Sequence, residues 1–474
     1  MASYLPRLVS FFLLPVYAVY LPPEAMGIVE MCLVIQVLME ASSRLGLPGA
    51  FARYYFDNRE PEAFRDLLTT TTLAVLISSS AFALIGLLAG PYIFARFLPE
   101  VAFHPYFDLA IFVGFLQFGP ELQARVLQVS EESKLAASIN VVVSLFGTAV
   151  KLLFVVGFEW GALGAVYAEV ATSAFAMSIA VSRHWRDISG HFRLDMLRSL
   201  LSYGLPLVPH RVGAWAATFA GQWIMGMYGV LGAVGQLSVA AKLVSPLRII
   251  TGAFATAFGP VYFAWRSDEV PEVALAHTRR TAGAVLTLVG VGALGVSLFG
   301  AIVVFYLMPE TYRPAAGAVG VLAASVEVRL IYNVLGQELL YAKRTKVTAL
   351  IAPSGAVIAV IATVLLVPPY GVLGAAWAQV LSVATIVFVT ALLARQTFPT
   401  AVALRTWLAT LIATFGAAFA WQAISGEGVV MDVVVATGVF SVLSSVVLAA
   451  AGVGPAQLRG ALAIVRRRKK KSAG

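Results

Sequence analysis

Seven basic side chains stand in stretches of sequence too apolar to hold them without a reason: Arg7, Arg44, Lys151, Arg211, Lys242, Arg248 and Arg329. Five acids share that setting: Glu30, Glu40, Glu121, Glu169 and Glu327. A charge near the centre of a bilayer costs at least ~2.5 kcal/mol, so such residues face a wet cavity or an opposite charge. The chemistry open to them is electrostatic. Guanidinium groups stay charged whatever their burial, and their paired donors match phosphate geometry. A lumen lined by Arg7, Arg211, Lys242, Arg248 and Arg329 is therefore built for an anionic cargo. Lys151 is a weaker member, because the fifth apolar stretch need not line the cavity. Glu30, Glu40, Glu121 and His210 are the candidates for gating or for coupling to Na⁺ or H⁺. Glu169 sits in a patch of small residues and reads as a structural acid. Arg44, near the end of its stretch, is expected to snorkel to the interface. Glu327 and Arg329 are too close in sequence to share a helix face, so each needs its own partner. Trp215, Trp223 and Tyr228 suit either stacking on sugars or a lipid interface.

No catalytic constellation competes with this reading. His104, His184, His191, His210 and His277 are scattered, and the sequence has no metal-ligand spacing, phosphate-binding glycine loop or nucleophile arrangement. The single Cys32 lies in an apolar run, which rules out an internal disulfide and reads as a buried thiol. No metal or cofactor is expected, and the chain does not read as an enzyme.

The elements that position these charges must be membrane helices. Hydrophobic residues make up 60% of the 474 and charged residues 12%, about half the share of a globular chain, so the exterior has to be lipid. The net charge of +9 suggests nucleic acid at first sight, but the basic residues are spread over short connections and a final tail. The first stretch lacks a basic leader and a small-residue cleavage site, and is read as a helix and not a signal peptide. A span needs roughly twenty apolar residues. Fourteen are predicted, at 4–21, 26–46, 67–89, 106–127, 135–157, 160–181, 199–225, 232–263, 281–307, 315–341, 346–367, 370–394, 403–424 and 429–452. The expected fold is all-α and polytopic, with no extramembrane domain. With both termini in the cytoplasm, twenty-four Lys and Arg fall on the inner side, including the run from Arg466 to Lys471, against Arg96 and Arg313 outside. The tail reads as a topology determinant in contact with anionic lipid.

The chain repeats itself at an offset near 210. WGALGAVYAEV at 160–170 answers YGVLGAAWAQV at 370–380, Leu98-Pro99-Glu100 answers Met308-Pro309-Glu310, and Ala25-Met26-Gly27 answers Ala233-Val234-Gly235. An even number of helices per repeat makes both halves enter the membrane in the same direction. They should be related by a pseudo-twofold axis along the membrane normal, with a cavity between them. The expected division is 1–198 for one lobe, 199–400 for the second, 401–454 for two further helices and 455–474 for a basic tail. The paired small-residue patches are read as helix packing within each lobe. At an offset of 208, Glu40 and Arg248 are equivalent positions and candidates for a cytoplasmic gate.

In order along the chain, FFLLPVYAVYLPPEAMGIVE, LGLPGAFARYYFD, SYGLPLVPHRVGAW, LGAVGQLSVAAKL, AFATAFGPVYFAW and VPPYGVLGAAWAQ resemble the landmarks of bacterial polysaccharide flippases. These are the O-antigen type within the multidrug/oligosaccharidyl-lipid/polysaccharide exporter superfamily. The resemblance covers about residues 5–395. It implies carriage of an undecaprenyl-diphosphate-linked oligosaccharide across the bacterial inner membrane by alternating access of two six-helix lobes, in a protein expected to be a monomer. Two departures stand out. Gly221-Gln222 occupies the place where the family often has Asp-Arg, so a role for that pair is not carried over. Tyr4 falls opposite Val212, about a dozen residues inside helix seven, so the natural start is expected upstream.

Three other readings stay open. A multidrug exporter of the same superfamily would favour acids and aromatics around organic cations. A lipid II flippase also carries two extra C-terminal helices. A membrane glycan polymerase or ligase would need catalytic residues on a large outer loop, and the outer loops here are very short.

Overall fold

The computed structural model describes residues 12–58, 60–184, 187–342, 345–394, 404–424 and 428–451. Arg7 and the basic tail lie outside the described residues, as does the side chain of His210. Every regular element among the described residues is helical: α1 (Leu14–Tyr20), α2 (Pro23–Ser43), α3 (Leu47–Tyr54), α4 (Pro61–Phe97), α5 (Asp108–Leu116), α6 (Phe118–Val129), α7 (Ser133–Leu152), α8 (Gly161–His184), α9 (Leu194–Gly204), α10 (Val208–Met227), α11 (Leu231–Asp268), α12 (Pro271–Leu307), α13 (Pro314–Tyr341), α14 (Thr345–Ala394), α15 (Leu404–Ile424) and α16 (Val429–Ala450).

Ten helical stretches among the described residues are long and apolar enough to cross a membrane. The difference from the fourteen expected spans has local causes. The stretch 106–127 is divided between α5 and α6 at Gln117. Pro120 cannot donate to the carbonyl four residues back, which weakens the helix there. The stretch 199–225 is divided between α9 and α10 by a tight turn at Leu205–Leu207, with Pro206 and Pro209 at the break. Spans eleven and twelve form one element, α14, bent at Gly371. Only the second part of the first span, α1, lies among the described residues. Helices also run further than expected: α11 has 38 residues, about 57 Å of helix against ~30 Å of hydrocarbon. Only Glu269 and Val270 separate it from α12.

The sequence repeat reappears in the backbone. Gly161 and Gly371 both hold a positive φ, of +58° and +53°. One turn later, a Cβ on Gly164 would lie 2.8 Å from the Phe154 carbonyl oxygen, and one on Gly374 would collide with the Leu366 carbonyl. Ala165, Ala168, Ala375 and Ala378 are all buried. The small residues serve close packing of helices, as expected from their spacing.

By contact the chain forms two compact units: Met1–Lys242 with Met308–Tyr312 and Ala352–Ser382, and Leu243–Leu307 with Arg313–Ile351 and Val383–Gly474. This cut follows contacts and differs from a division by repeat. The first unit has a core where Leu47, Phe51, Leu67, Phe118, Leu122 and Leu200 meet. In the second, α13 is the most enclosed of the membrane-length stretches, with 83% of its apolar window buried. Its small residues permit this: Gly320 packs on Ala418 of α15. The second unit also holds polar contacts that are buried or partly buried. Glu338 accepts from Tyr262 and from Arg266 at 3.3 Å, and Tyr306 donates to Asp432 at 2.6 Å.

Candidate functional site

The intramembrane charges of the first unit gather into two clusters. In one, α2 ends at Ser43 and the chain delivers Arg44 into protein, where it is 0% exposed. Its Nε donates to Glu121 Oε2 at 3.3 Å, one Nη to Ser79 Oγ at 2.6 Å and Ser43 Oγ at 3.2 Å, and the other Nη to the Gly114 carbonyl at 2.6 Å. Arg44 therefore does not snorkel. Acceptors on α4, α5 and α6 engage its planar fork before it could reach an interface, and the network leaves few of its donors unmet. The second oxygen of Glu121 accepts from an Nη of Arg211, on α10, at 3.3 Å. The Arg211 side chain is 32% exposed. Glu40 lies within the fields of Arg44, Arg211 and Glu121. The four groups carry two positive and two negative formal charges.

The second cluster joins α2 to α11. Ser238 Oγ donates to Glu30 Oε2 at 2.8 Å, and Lys242 Nζ donates to Ser238 Oγ at 2.7 Å, with Glu30 Oε2 3.5 Å away. The Lys242 side chain is 43% exposed. The charges of Lys151 and Glu169 reach it. Lys151 pairs with Glu169 at 3.6 Å and lies 5.6 Å over the Tyr17 ring. Glu169 is thus ion-paired with Lys151 within the protein. Cys32 is buried, with its thiol 3.6 Å from the Tyr106 carbonyl.

Beside this cluster α2 and α11 touch through glycine. A Cβ on Gly27 would strike the Leu231 carbonyl, and one on Gly235 would strike the Pro23 carbonyl and lie 3.0 Å from the Gly27 nitrogen. Tyr312 donates to the Leu21 carbonyl at 2.6 Å, close to the same end of α2.

The remaining predicted residues lie apart from these clusters. Arg248 and Arg329 are both exposed. No carboxylate among the described residues forms an ion pair with Arg329, although it is only two positions from Glu327. Glu327 is fully buried, accepts a hydrogen bond from Thr414 through one oxygen, and has no hydrogen-bond partner on the other. Trp215 donates to the Val34 carbonyl at 2.9 Å and meets Trp223 edge to face, so part of its surface is already committed. Sequence reasoning picked out Glu30, Glu121, Arg211 and Lys242 but missed Arg44 as an anchor and Ser238 altogether. The signal for Ser238 was present, since it stands opposite Glu30 at the repeat offset.

A family model described as polysaccharide biosynthesis protein matches residues 1–264, a range that contains both clusters. A search of curated proteins gives no significant sequence match. Among solved structures, the lipid II flippase MurJ in an inward closed conformation superposes with a TM-score of 0.70 at 14% identity, covering 94% of this chain and 98% of that one. An outward-facing multidrug resistance MATE family transporter of the MOP superfamily gives 0.60 at 16% identity, covering 84% and 93%. A MOP superfamily transporter from Pyrococcus furiosus, whose binding pocket is described as reversed in polarity, gives 0.54 at 15% identity, again covering 84% and 93%. At such identities the likeness is one of fold: a multi-pass helical membrane protein of the MurJ and MATE type.

Proposed function

The chain belongs to the polysaccharide biosynthesis protein family, and on that footing we propose that it is a flippase for a lipid-linked oligosaccharide. Its cargo would be an oligosaccharide on undecaprenyl diphosphate, of the O-antigen kind, moved from the cytoplasmic to the outer leaflet of a bacterial inner membrane. The observation that carries this reading is the pair Arg211 and Lys242. Both sit in apolar helices, both stay partly exposed, and neither is needed to fill a core. Partly exposed cations at membrane depth mark a path for an anion. Arg248, Arg329, Arg7 and Lys151 are proposed to extend the same path, and Glu40 and His210 to serve gating or ion coupling.

Alternating access of two lobes, at 1–198 and 199–400, would move the diphosphate while the lipid tail stays in the membrane. The reciprocal glycine contact of α2 and α11 supports an axis between the two repeats at that point. The lysines and arginines of the connections favour cytoplasmic termini. Likeness in fold to transporters speaks for carriage and not catalysis.

One observation favours a second reading, transport of lipid II. The fold covers nearly all of the MurJ chain, and α15 and α16 continue it beyond the repeat. Both cargoes carry a diphosphate, so the sugar divides the readings. Complementation distinguishes them. We expect the gene to restore surface glycan in a strain lacking its O-antigen flippase and not to support growth when MurJ is depleted. The opposite pattern would transfer the assignment to lipid II. Arg211→Ala and Lys242→Ala should abolish glycan export at normal membrane levels.

A further inference from the structure

Neither Arg211 nor Lys242 is bare. Each meets a carboxylate, and each carboxylate also accepts from a second donor, Arg44 on Glu121 and Ser238 on Glu30. Glu121 offers one oxygen to Arg211 and the other to Arg44, which is wholly buried and fixed by Ser79, Ser43 and the Gly114 carbonyl. Glu30 faces Lys242, and the same oxygen is held by Ser238 at 2.8 Å. In each pair the cation is the more exposed partner, 32% against 21% for Arg211 and Glu121 and 43% against 10% for Lys242 and Glu30. The contact of each cation with its carboxylate is long, 3.3 Å for Arg211 and 3.5 Å for Lys242, and Lys242 also donates to Ser238 at 2.7 Å.

Resting on the diphosphate reading above, we propose that Glu121 and Glu30 are built-in counter-ions, which the diphosphate displaces from Arg211 and Lys242 on entry and which reclaim them on exit. An arginine or lysine that changes partner passes from one anion to another, so it is never left without a counter-charge. The acid it leaves keeps its anchor, so it is not stranded. A carboxylate competing for the cation weakens cargo binding in both leaflets, and this lets go of a ligand that bare cations would trap. A transporter needs that property, since tight binding of one state slows the next step. It also keeps each cluster close to neutral when empty, which lowers the electrostatic cost of the unloaded return.

The test uses the purified full chain in detergent and geranylgeranyl diphosphate as probe, with dissociation constants measured by calorimetry. Glu121→Gln and Glu30→Gln keep size and hydrogen bonds to their anchors while removing the charge. Each should bind the probe about tenfold more tightly, within the ordinary range for two groups competing for one partner. Each should also export glycan more slowly in cells. Glu132→Gln, an exposed acid paired with Arg183, removes the same charge away from both clusters and should leave the constant unchanged. If wild type binds the probe and Arg211→Ala weakens it, but neither glutamine variant binds more tightly, the exchange idea is wrong and the cargo reading survives. A uniform gain that includes Glu132→Gln would reduce the effect to net charge and also reject it. If wild type fails to bind any isoprenyl diphosphate, the cargo reading fails and takes the exchange with it. Two independent glutamine variants protect the test against one of them folding poorly.

Discussion

Ser238 donates a 2.8 Å hydrogen bond to Glu30, and the two residues hold the same position in the two halves of the internal repeat, 208 apart. One turn earlier, Gly27 and Gly235 meet at the same offset, and their contacts are reciprocal: Gly27 against Leu231, Gly235 against Pro23, the equivalents of one another. A residue that touches its own counterpart lies beside a symmetry axis, and exchange of partners across it is what a twofold produces. Two successive pairs in register support the proposed axis along the helices. An inverted repeat would not give this pattern.

The glycine contact makes the first prediction. Gly235→Val puts branched carbon against the Pro23 backbone carbonyl, which cannot rotate away as a side chain can. The variant should reach the membrane normally and lose export. A cysteine replacing Met26 should gain reactivity to an impermeant maleimide in the Gly235→Val background, because this end of α2 and α11 can no longer close. Unchanged labelling together with full export would show that the contact has no part in transport.

Arg44 and Arg211 share Glu121 but should fail differently. Arg44→Ala removes the partner of a carboxylate, two serines and a carbonyl in a closed site, a loss of roughly 3–5 kcal/mol. We expect a lower melting temperature in detergent and less protein in the membrane. Arg211→Ala uncovers a partly exposed site and should leave melting within a few degrees while export stops. Equal loss of stability in both would make Arg211 a structural residue.

The contrast between Arg44 and the other charges marks how far the sequence could be read. Residue types, helix repeats and small-residue patches are local, and they identified Glu30, Glu121, Arg211 and Lys242 as out of place in lipid. Pairing is not local: Arg44 and Glu121 are 77 positions apart, and Arg211 and Glu121 are 90 apart. Position near a helix end suggested snorkelling for Arg44, and three-dimensional packing overrode it. The breaks at Gln117 and Leu205–Leu207 were hidden for a different reason, because hydropathy counts apolar residues and gives proline no weight.

Two acids on α13 should respond in opposite ways. Glu338 accepts from Arg266 and Tyr262, so Glu338→Ala removes an acceptor that the two share and should lower stability. Glu327 is buried with one oxygen on Thr414 and the other without a hydrogen-bond partner. An apolar residue of similar volume is often neutral or better at such a site. Glu327→Met should therefore melt no lower than wild type, whereas Glu338→Ala should melt several degrees lower. A sharp fall for Glu327→Met would show that its carboxylate is needed where it stands.

The last prediction concerns the bends that precede the two small-residue patches. Gly161 and Gly371 have φ of +58° and +53°, and a Cβ on either would meet nothing within 4 Å. Space is available, so alanine is opposed by backbone strain alone, roughly 1–3 kcal/mol for a sparsely populated conformation. Gly371, with ψ of −127°, lies outside the left-handed helical region open to other residues. Gly438, inside α16, also has open space around it but no positive φ. There alanine should be neutral or stabilising by up to ~1 kcal/mol, because it is the better helix former. Thermal unfolding of the three alanine variants in detergent separates the cases. Gly161→Ala and Gly371→Ala should both fall, since both positions hold a positive φ, while Gly438→Ala should hold or rise. If all three shift together, conformational freedom of the unfolded chain is the common cause and the positive-φ bends carry no special cost.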